Sequence, residues 1–186
     1  ETILTYGVMA PSGENCQPWK FIINDSTVSI ILLPKADQSI YNTNQKGSYI
    51  AHGALIENIV LYAQHVGILA EVLLFPADDK NHVADILLSK NEYLQKNPLS
   101  TYISDRCTNR KEYSGKKLTE QEKKQLQQSC SEQYELRLID EESSLNDLGN
   151  ALAVNEQVLF ENKQIHDFFY DHILWDKKDE EKAGGF

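Results

Sequence analysis

The chain has 186 residues, 41% of them hydrophobic and 25% charged, with a formal net charge of -10 at pH 7. That length supports one sizeable core, or one domain and part of another, in an ordinary globular protein. The acidic balance, with no basic stripe, excludes a nucleic-acid partner, and no apolar run approaches the roughly 20 residues of a membrane helix.

Three cysteines, Cys16, Cys107 and Cys130, form neither a CxxC pair nor an even set. They read as free thiols in a reducing compartment, which points to the cytoplasm, and they make no zinc site. The sequence opens on Glu1 rather than Met, which leaves an upstream targeting segment open.

Residues 2 to 9 read as the last turns of a helix. Pro11 ends it, because its ring removes a backbone N–H and pushes Ala10 from helical angles. The next stretch, Ala10-Pro11-Ser12-Gly13-Glu14-Asn15-Cys16-Gln17-Pro18-Trp19-Lys20-Phe21, is the densest in chemistry. Ser12-Gly13 is turn chemistry, and the glycine permits positive φ or a close approach. Pro18 stiffens the chain before Trp19. A rigid loop of this kind presents backbone N–H groups together with Asn15 and Gln17. Their amides offer both donors and acceptors, which suits the edge of a heteroaromatic ring better than a metal or a bare phosphate. The same residues fit equally a plain helix-to-strand connection whose amides cap the backbone.

Lys20 to Ile23 and Val28 to Leu33 are strand-like, and Asn24-Asp25-Ser26-Thr27 between them signals a hairpin. Pro34 to Gly47 is polar and irregular. Ser48 to Val66 is apolar on more than one face, which predicts a central, largely buried helix stopping at Gly67. His52 lies in its first turns and reads as a satisfied core or cofactor-proximal group rather than a catalyst. Glu71 to Phe75 is a strand that Pro76 ends, and Val83 to Ser89 leans towards strand over helix. Helical signals return over Pro98 to Asp105. Thr119 to Gln133 opens with a capping box, Thr119 with Glu122. Glu135 to Ile139 reads as a short strand, and Asn146 to about Trp175 carries a helical pattern. Asp176 to Lys182 is a solvated charge run, and Ala183 to Phe186 looks like the start of a further element.

A second site-bearing stretch is Arg106-Cys107-Thr108-Asn109-Arg110. Two guanidiniums and a hydroxyl at this spacing can converge on a phosphate, since arginine offers forked, permanently charged donors; the same pattern also occurs as surface ion pairs. There is no G-x-G-x-x-G, H-E-x-x-H or G-x-S-x-G, so no metal site and no nucleophilic triad is indicated.

The string APSGENCQPWKF resembles the A-P-S-x-x-N-x-Q-P-W-x-F signature of the nitroreductase family of flavin enzymes, in which this loop lies against the ring of FMN. Arg106 to Tyr113, followed by the capped helix, is similar to the arginine element that grips the FMN phosphate in that family. In a simple member the arginine element precedes the loop, whereas here it follows about ninety residues later. That order resembles the single-chain branch, in which two repeats imitate the family's intertwined homodimer; its R-x-T-N-R motif matches Arg106 to Arg110. The segment His52 to Asn58 resembles the family's dimer-core helix. The likeness covers roughly residues 6 to 75 and 103 to 131.

The resemblance implies an α+β, nitroreductase-like fold with a central antiparallel or mixed sheet flanked by helices and a long buried core helix. It implies a first repeat over 1–97 and the start of a second, incomplete one over 98–186, with further oligomerisation open. One FMN per chain is implied, its ring held by Pro11, Ser12, Gly13, Asn15 and Gln17 and its phosphate by Arg106, Thr108 and Arg110. Electrons would pass from NADH or NADPH to a small nitroaromatic, quinone or similar acceptor in a ping-pong cycle, with no side chain obliged to act as acid or base. The alternative is an FMN-binding protein without turnover, for storage or sensing. A third option is a flavin-fragmenting or dehydrogenating relative of the same fold.

Overall fold

The computed structural model describes residues 1–39, 41–130, 134–171 and 173. The chain divides into two compact units, one built on Glu1–Thr108 and one on Asn109–Phe169. The first contains helix α1 (Thr2–Gly7), strands β1 (Trp19–Asn24) and β2 (Thr27–Leu32), helix α2 (Lys46–His65), and strands β3 (Ile68–Leu74) and β4 (His82–Lys90). The class is α+β.

The four strands form one antiparallel sheet in the order β1-β2-β4-β3. The β1–β2 hairpin turns at Asp25, whose φ of 50° suits a short polar side chain. The chain leaves β2 through α2, enters β3 at the sheet edge, and returns as β4 between them. Period-two patterning shows plainly in β2, where Val28, Ile30 and Leu32 are buried and the residues between them half-buried. Of these, Ile30 joins the core that one face of α2 covers. Trp19, Ile30, Ala84 and Ile86 from the sheet pack with Ala51, Leu55 and Ile59 from α2, and Ala10 closes the end of this core.

A bulge interrupts the β2–β4 ladder: Ile30 pairs with Ala84, but Ile31 pairs with His82, leaving Val83 as the extra residue. Val83 and Ala84 are both buried in consequence. The shift also brings His82 beside Asp85, although an odd separation along a regular strand would oppose them. Asp85 Oδ1 accepts a 2.6 Å hydrogen bond from Ser29 Oγ and lies 2.7 Å from His82 Nε2. The Ser29 bond, then His82, holds the Asp85 carboxyl below the usual carboxylate range.

Helix α2 stops where expected. Gly67 follows it with φ +75°, a left-handed position that costs glycine little. The expectation that α2 is buried nearly all round is corrected. Ser48, Ala51, His52, Leu55, Ile59, Leu61 and Ala63 are buried, whereas Ile50 is 76% exposed and Gly53 and Glu57 are also exposed. The apolar content of the helix exceeds what the sheet and α1 cover.

Pro98 to Tyr102 forms a 3-10 turn rather than α-helix, with Pro98 at its first position and Asn97 Oδ1 accepting from Leu99 N at 3.0 Å. Beyond Thr108 come α3 (Glu120–Gln128), α4 (Glu142–Glu161) and α5 (Lys163–Asp171). The Thr119–Glu122 capping box forms in both directions. One expectation fails here: Glu135 to Ile139 is not a strand. The helical pattern expected from Asn146 to about Trp175 is borne out over the described residues as two helices, α4 and α5, parted at Asn162. That residue leaves helical angles, and its Oδ1 accepts from Gln164 N and Ile165 N to start the next helix. No residue of α3, α4 or α5 is buried. The charge run 176–182 and the segment 183–186 lie outside the described residues.

Candidate functional site

The loop between α1 and β1 is built by its own backbone. After Gly7 the chain tightens, with Met9 N bonding Tyr6 O and Ala10 N bonding Gly7 O. Ser12 is extended, and its Oγ accepts from Gln17 N at 3.0 Å, closing a small ring across the loop. Inside that ring Glu14, Asn15 and Gln17 take φ of 51°, 56° and 45°. Positive φ costs of order 1–3 kcal/mol at a non-glycine residue and persists only where the surroundings enforce it. The enforcement lies in Pro18, fully buried, and Trp19, 7% exposed, which tie the loop's end to the core. Burial along the loop alternates. Pro11, Gly13, Asn15 and Gln17 are exposed, while Ser12, Glu14 and Cys16 are half-buried. The Asn15 and Gln17 amides converge, with Gln17 Nε2 3.5 Å from Asn15 Oδ1. Burial first, and then the Asp37 carboxylate, push the Cys16 thiol upward.

Facing this loop is the start of α2. Pro11, Ser12 and Gly13 on one side, with Gly47, Ile50, Ala51 and Ala54 on the other, line an open and almost wholly apolar cleft of about 220 Å³. Gly47, Ala51 and Ala54 recur at the spacing that keeps much of one helix face low, with the exposed Ile50 projecting from the same face. A second hollow, of about 340 Å³ and lined by Glu1, Thr2, Ile3, Tyr62, Val66 and Ile68, is larger. It shares no residue with the loop and gathers no amide or guanidinium groups, so we assign the smaller cleft as the site.

The segment from Pro34 to Gly47 completes the cleft's rim. Asn42, 6% exposed, is its hub. Its Nδ2 donates to Asp37 O (3.0 Å), Gln45 Oε1 (3.2 Å) and Ser48 Oγ (2.9 Å), and its Oδ1 accepts from Ser48 N (3.0 Å). Asn44 and Gln45 beside it have φ of 55° and 61°. Five of the seven non-glycine residues with positive φ among the described residues therefore sit in the two segments bordering this cleft.

Arg106 belongs to the same unit, and its Nη2 donates to Met9 O at 3.2 Å, two residues before Pro11. The structure thus brings Pro11, Ser12, Gly13, Asn15, Gln17 and Arg106 into one neighbourhood. Thr108 is exposed at the end of that unit, and Arg110 is exposed in the other. His52 points away from the cleft chemistry into the core. It is wholly buried, with Nδ1 2.7 Å from Ser48 O and its ring edge-on to Trp19 at 6.0 Å. Its Nε2 approaches the Ile31 backbone without making a hydrogen bond, and burial pushes its pKa down.

Sequence reasoning missed Gly47, Ile50, Ala51, Ala54 and Asp37. The first four had a legible signal, small residues at i, i+4 and i+7 with one bare isoleucine; Asp37 had none, because only the loop's fold brings it here.

No protein-family model matches the chain, and no curated protein matches it. Among solved structures, one designated an NADH oxidase from Clostridium acetobutylicum is 18% identical, with a TM-score of 0.41, covering 50% of this chain and 75% of its own. A nitroreductase family protein from Streptococcus pneumoniae is 14% identical, with a TM-score of 0.38, covering 59% of this chain and 87% of its own. Likenesses this distant leave the function to be read from the residues.

Proposed function

We propose that this chain is an FMN-dependent oxidoreductase of the nitroreductase type, passing electrons from NADH or NADPH to a quinone, nitroaromatic or similar small acceptor in a ping-pong cycle. The observation that carries the reading is the cleft itself. Two strained segments and a face of glycine and alanine enclose a flat apolar slot, with paired amides and an arginine nearby.

These residues fit a flavin. A planar ring packs against small side chains, and Gly13, Gly47, Ala51 and Ala54 supply them, with Ile50 adding an apolar contact. The volume of about 220 Å³ is below the roughly 300–1,000 Å³ of a complete small-molecule site, which suits the ring portion with the remainder passing over the open rim. Asn15 and Gln17 can offer donors and acceptors to the ring edge. Arg106 and Thr108, in the same unit as the cleft, would hold the phosphate by charge-assisted hydrogen bonds. A bound flavin supplies hydride acceptance and electron release; the protein supplies position and electrostatics. No side chain here is asked to act as acid or base.

In the same reading, residues 1–97 belong to one nitroreductase-like repeat and 98–186 to a second, working in a reducing cytoplasm. The openness of the cleft favours turnover over storage, since an acceptor can reach it. Titration of the protein with FMN, followed by quenching of flavin fluorescence, tests the site. Ala54→Leu enlarges a half-buried lining residue and abolishes quenching in a protein shown to be folded by circular dichroism; equal binding by that variant would place the flavin elsewhere.

A further inference from the structure

Asp37 occupies an unusual place relative to the cleft. A Cβ built on Gly13 would lie 3.3 Å from Asp37 Oδ2, and one built on Gly47 would lie 3.9 Å from the same oxygen. Both glycines line the cleft, one from each wall. The carboxylate therefore lies against the glycines of both walls, next to the apolar lining of the cleft rather than part of it. It is also held there. Asp37 Oδ1 accepts from Ser39 N at 3.0 Å, and its backbone carbonyl accepts from the buried Asn42, which is itself tied to the first turn of α2. Its upward push on the neighbouring Cys16 thiol is what a fixed negative charge at this spot produces.

Resting on the flavin reading above, we infer that Asp37 is a positioning and tuning residue of the cleft, a fixed negative charge that disfavours added negative charge on whatever ring binds there. Uptake of two electrons and one proton from a donor leaves a bound flavin ring one unit more negative than before. A carboxylate next to the cleft opposes that change and so keeps the bound flavin a stronger reductant. The same charge opposes anionic acceptors entering the cleft, relative to neutral or cationic ones. For a unit charge at roughly 6 Å in a cleft open to water, Coulomb's law gives about a threefold to tenfold change in such an equilibrium.

Asp37→Asn removes the charge and keeps the shape and the acceptor for Ser39 N. The parent, this variant and Asp25→Asn, an exposed carboxamide control in the β1–β2 turn, are loaded with FMN. Each is then equilibrated anaerobically with a redox dye, and the oxidised-to-reduced flavin ratio is read from the spectrum. Asp37→Asn shifts that ratio about threefold to tenfold towards the reduced form, and Asp25→Asn leaves it unchanged. An unchanged ratio in a flavin-loaded Asp37→Asn overturns the inference while leaving the flavin reading intact; failure of the parent to take up FMN overturns both. Should Asp37→Asn fold poorly by circular dichroism, Asp37→Ser repeats the measurement with the same two outcomes.

Discussion

Replacing glycine by alanine inside a helix ordinarily stabilises a protein, and at Gly7 the structure reverses that sign. A Cβ there would lie 2.7 Å from Ile59 Cγ1, 3.2 Å from Ile59 Cδ1 and 3.4 Å from Leu55 Cδ1. Both partners are fully buried in the core between α2 and the sheet, so neither can swing aside. Overpacking of this kind costs about 1–3 kcal/mol, and alanine's helical preference returns at most about 1 kcal/mol. The net is a loss of about 1 kcal/mol, with α1 pushed off α2. Because α1 runs directly into Met9, Ala10 and Pro11, the same displacement shifts one wall of the cleft and weakens FMN binding. Gly53→Ala is the matched control, since its Cβ would meet nothing within 4 Å; it should stabilise by about 0.5–1 kcal/mol. Urea unfolding followed by circular dichroism measures both as shifts in midpoint at constant slope. A Gly7→Ala protein as stable as the parent would refute the packing of α1 on α2 described here, and a Gly53→Ala protein less stable than it would refute the open face of α2 at Gly53.

Other consequences are equally direct. Burial pushes the pKa of His52 below its ordinary value near 6.5, so the folded state favours the neutral ring. Stability is then complete above that value and falls as pH drops beneath it, because the unfolded chain takes up the proton first; urea midpoints from pH 7.5 to 5 should show this slope, and a slope that persists in His52→Gln would assign it elsewhere. Thr119→Ala removes both hydroxyl contacts of the capping box and should cost α3 about 1 kcal/mol, visible as faster amide hydrogen exchange at Glu122. Arg106→Ala should weaken FMN retention by about 1.5–3 kcal/mol, the scale of a charge-assisted hydrogen bond; undiminished affinity by fluorescence titration removes Arg106 from the phosphate site.

Much of the local structure was legible because its signals are local. The Asp25-Ser26 turn, the glycine after α2 and the Thr119–Glu122 box each rest on chemistry within a few residues, and all three formed. What escaped depends on partners distant in sequence. Glu135 to Ile139 alternates like a strand but joins no ladder among the described residues; Arg137 pairs with Glu135 instead, through two contacts of 3.2 and 3.1 Å. The β4 bulge follows from pairing with β2 and leaves no mark in the sequence of β4. Hydropathy alone could not say which apolar residues of α2 find a partner, and Ile50 does not find one in the sheet. At the site, the turn-forming loop announced itself, yet Asp37 reaches it only because buried Asn42 folds the polar segment back on α2.

The central claim is that the cleft between Pro11–Gly13 and α2 holds a flavin that turns over. An absorption spectrum of FMN-loaded protein, recorded anaerobically before and after NADPH or NADH and again after a quinone, tests it most directly. The account predicts flavin bands that bleach with a nicotinamide and return with the quinone. Bands that refuse to bleach would mark a flavin-binding protein without turnover, and no flavin after loading would contradict the account at its root.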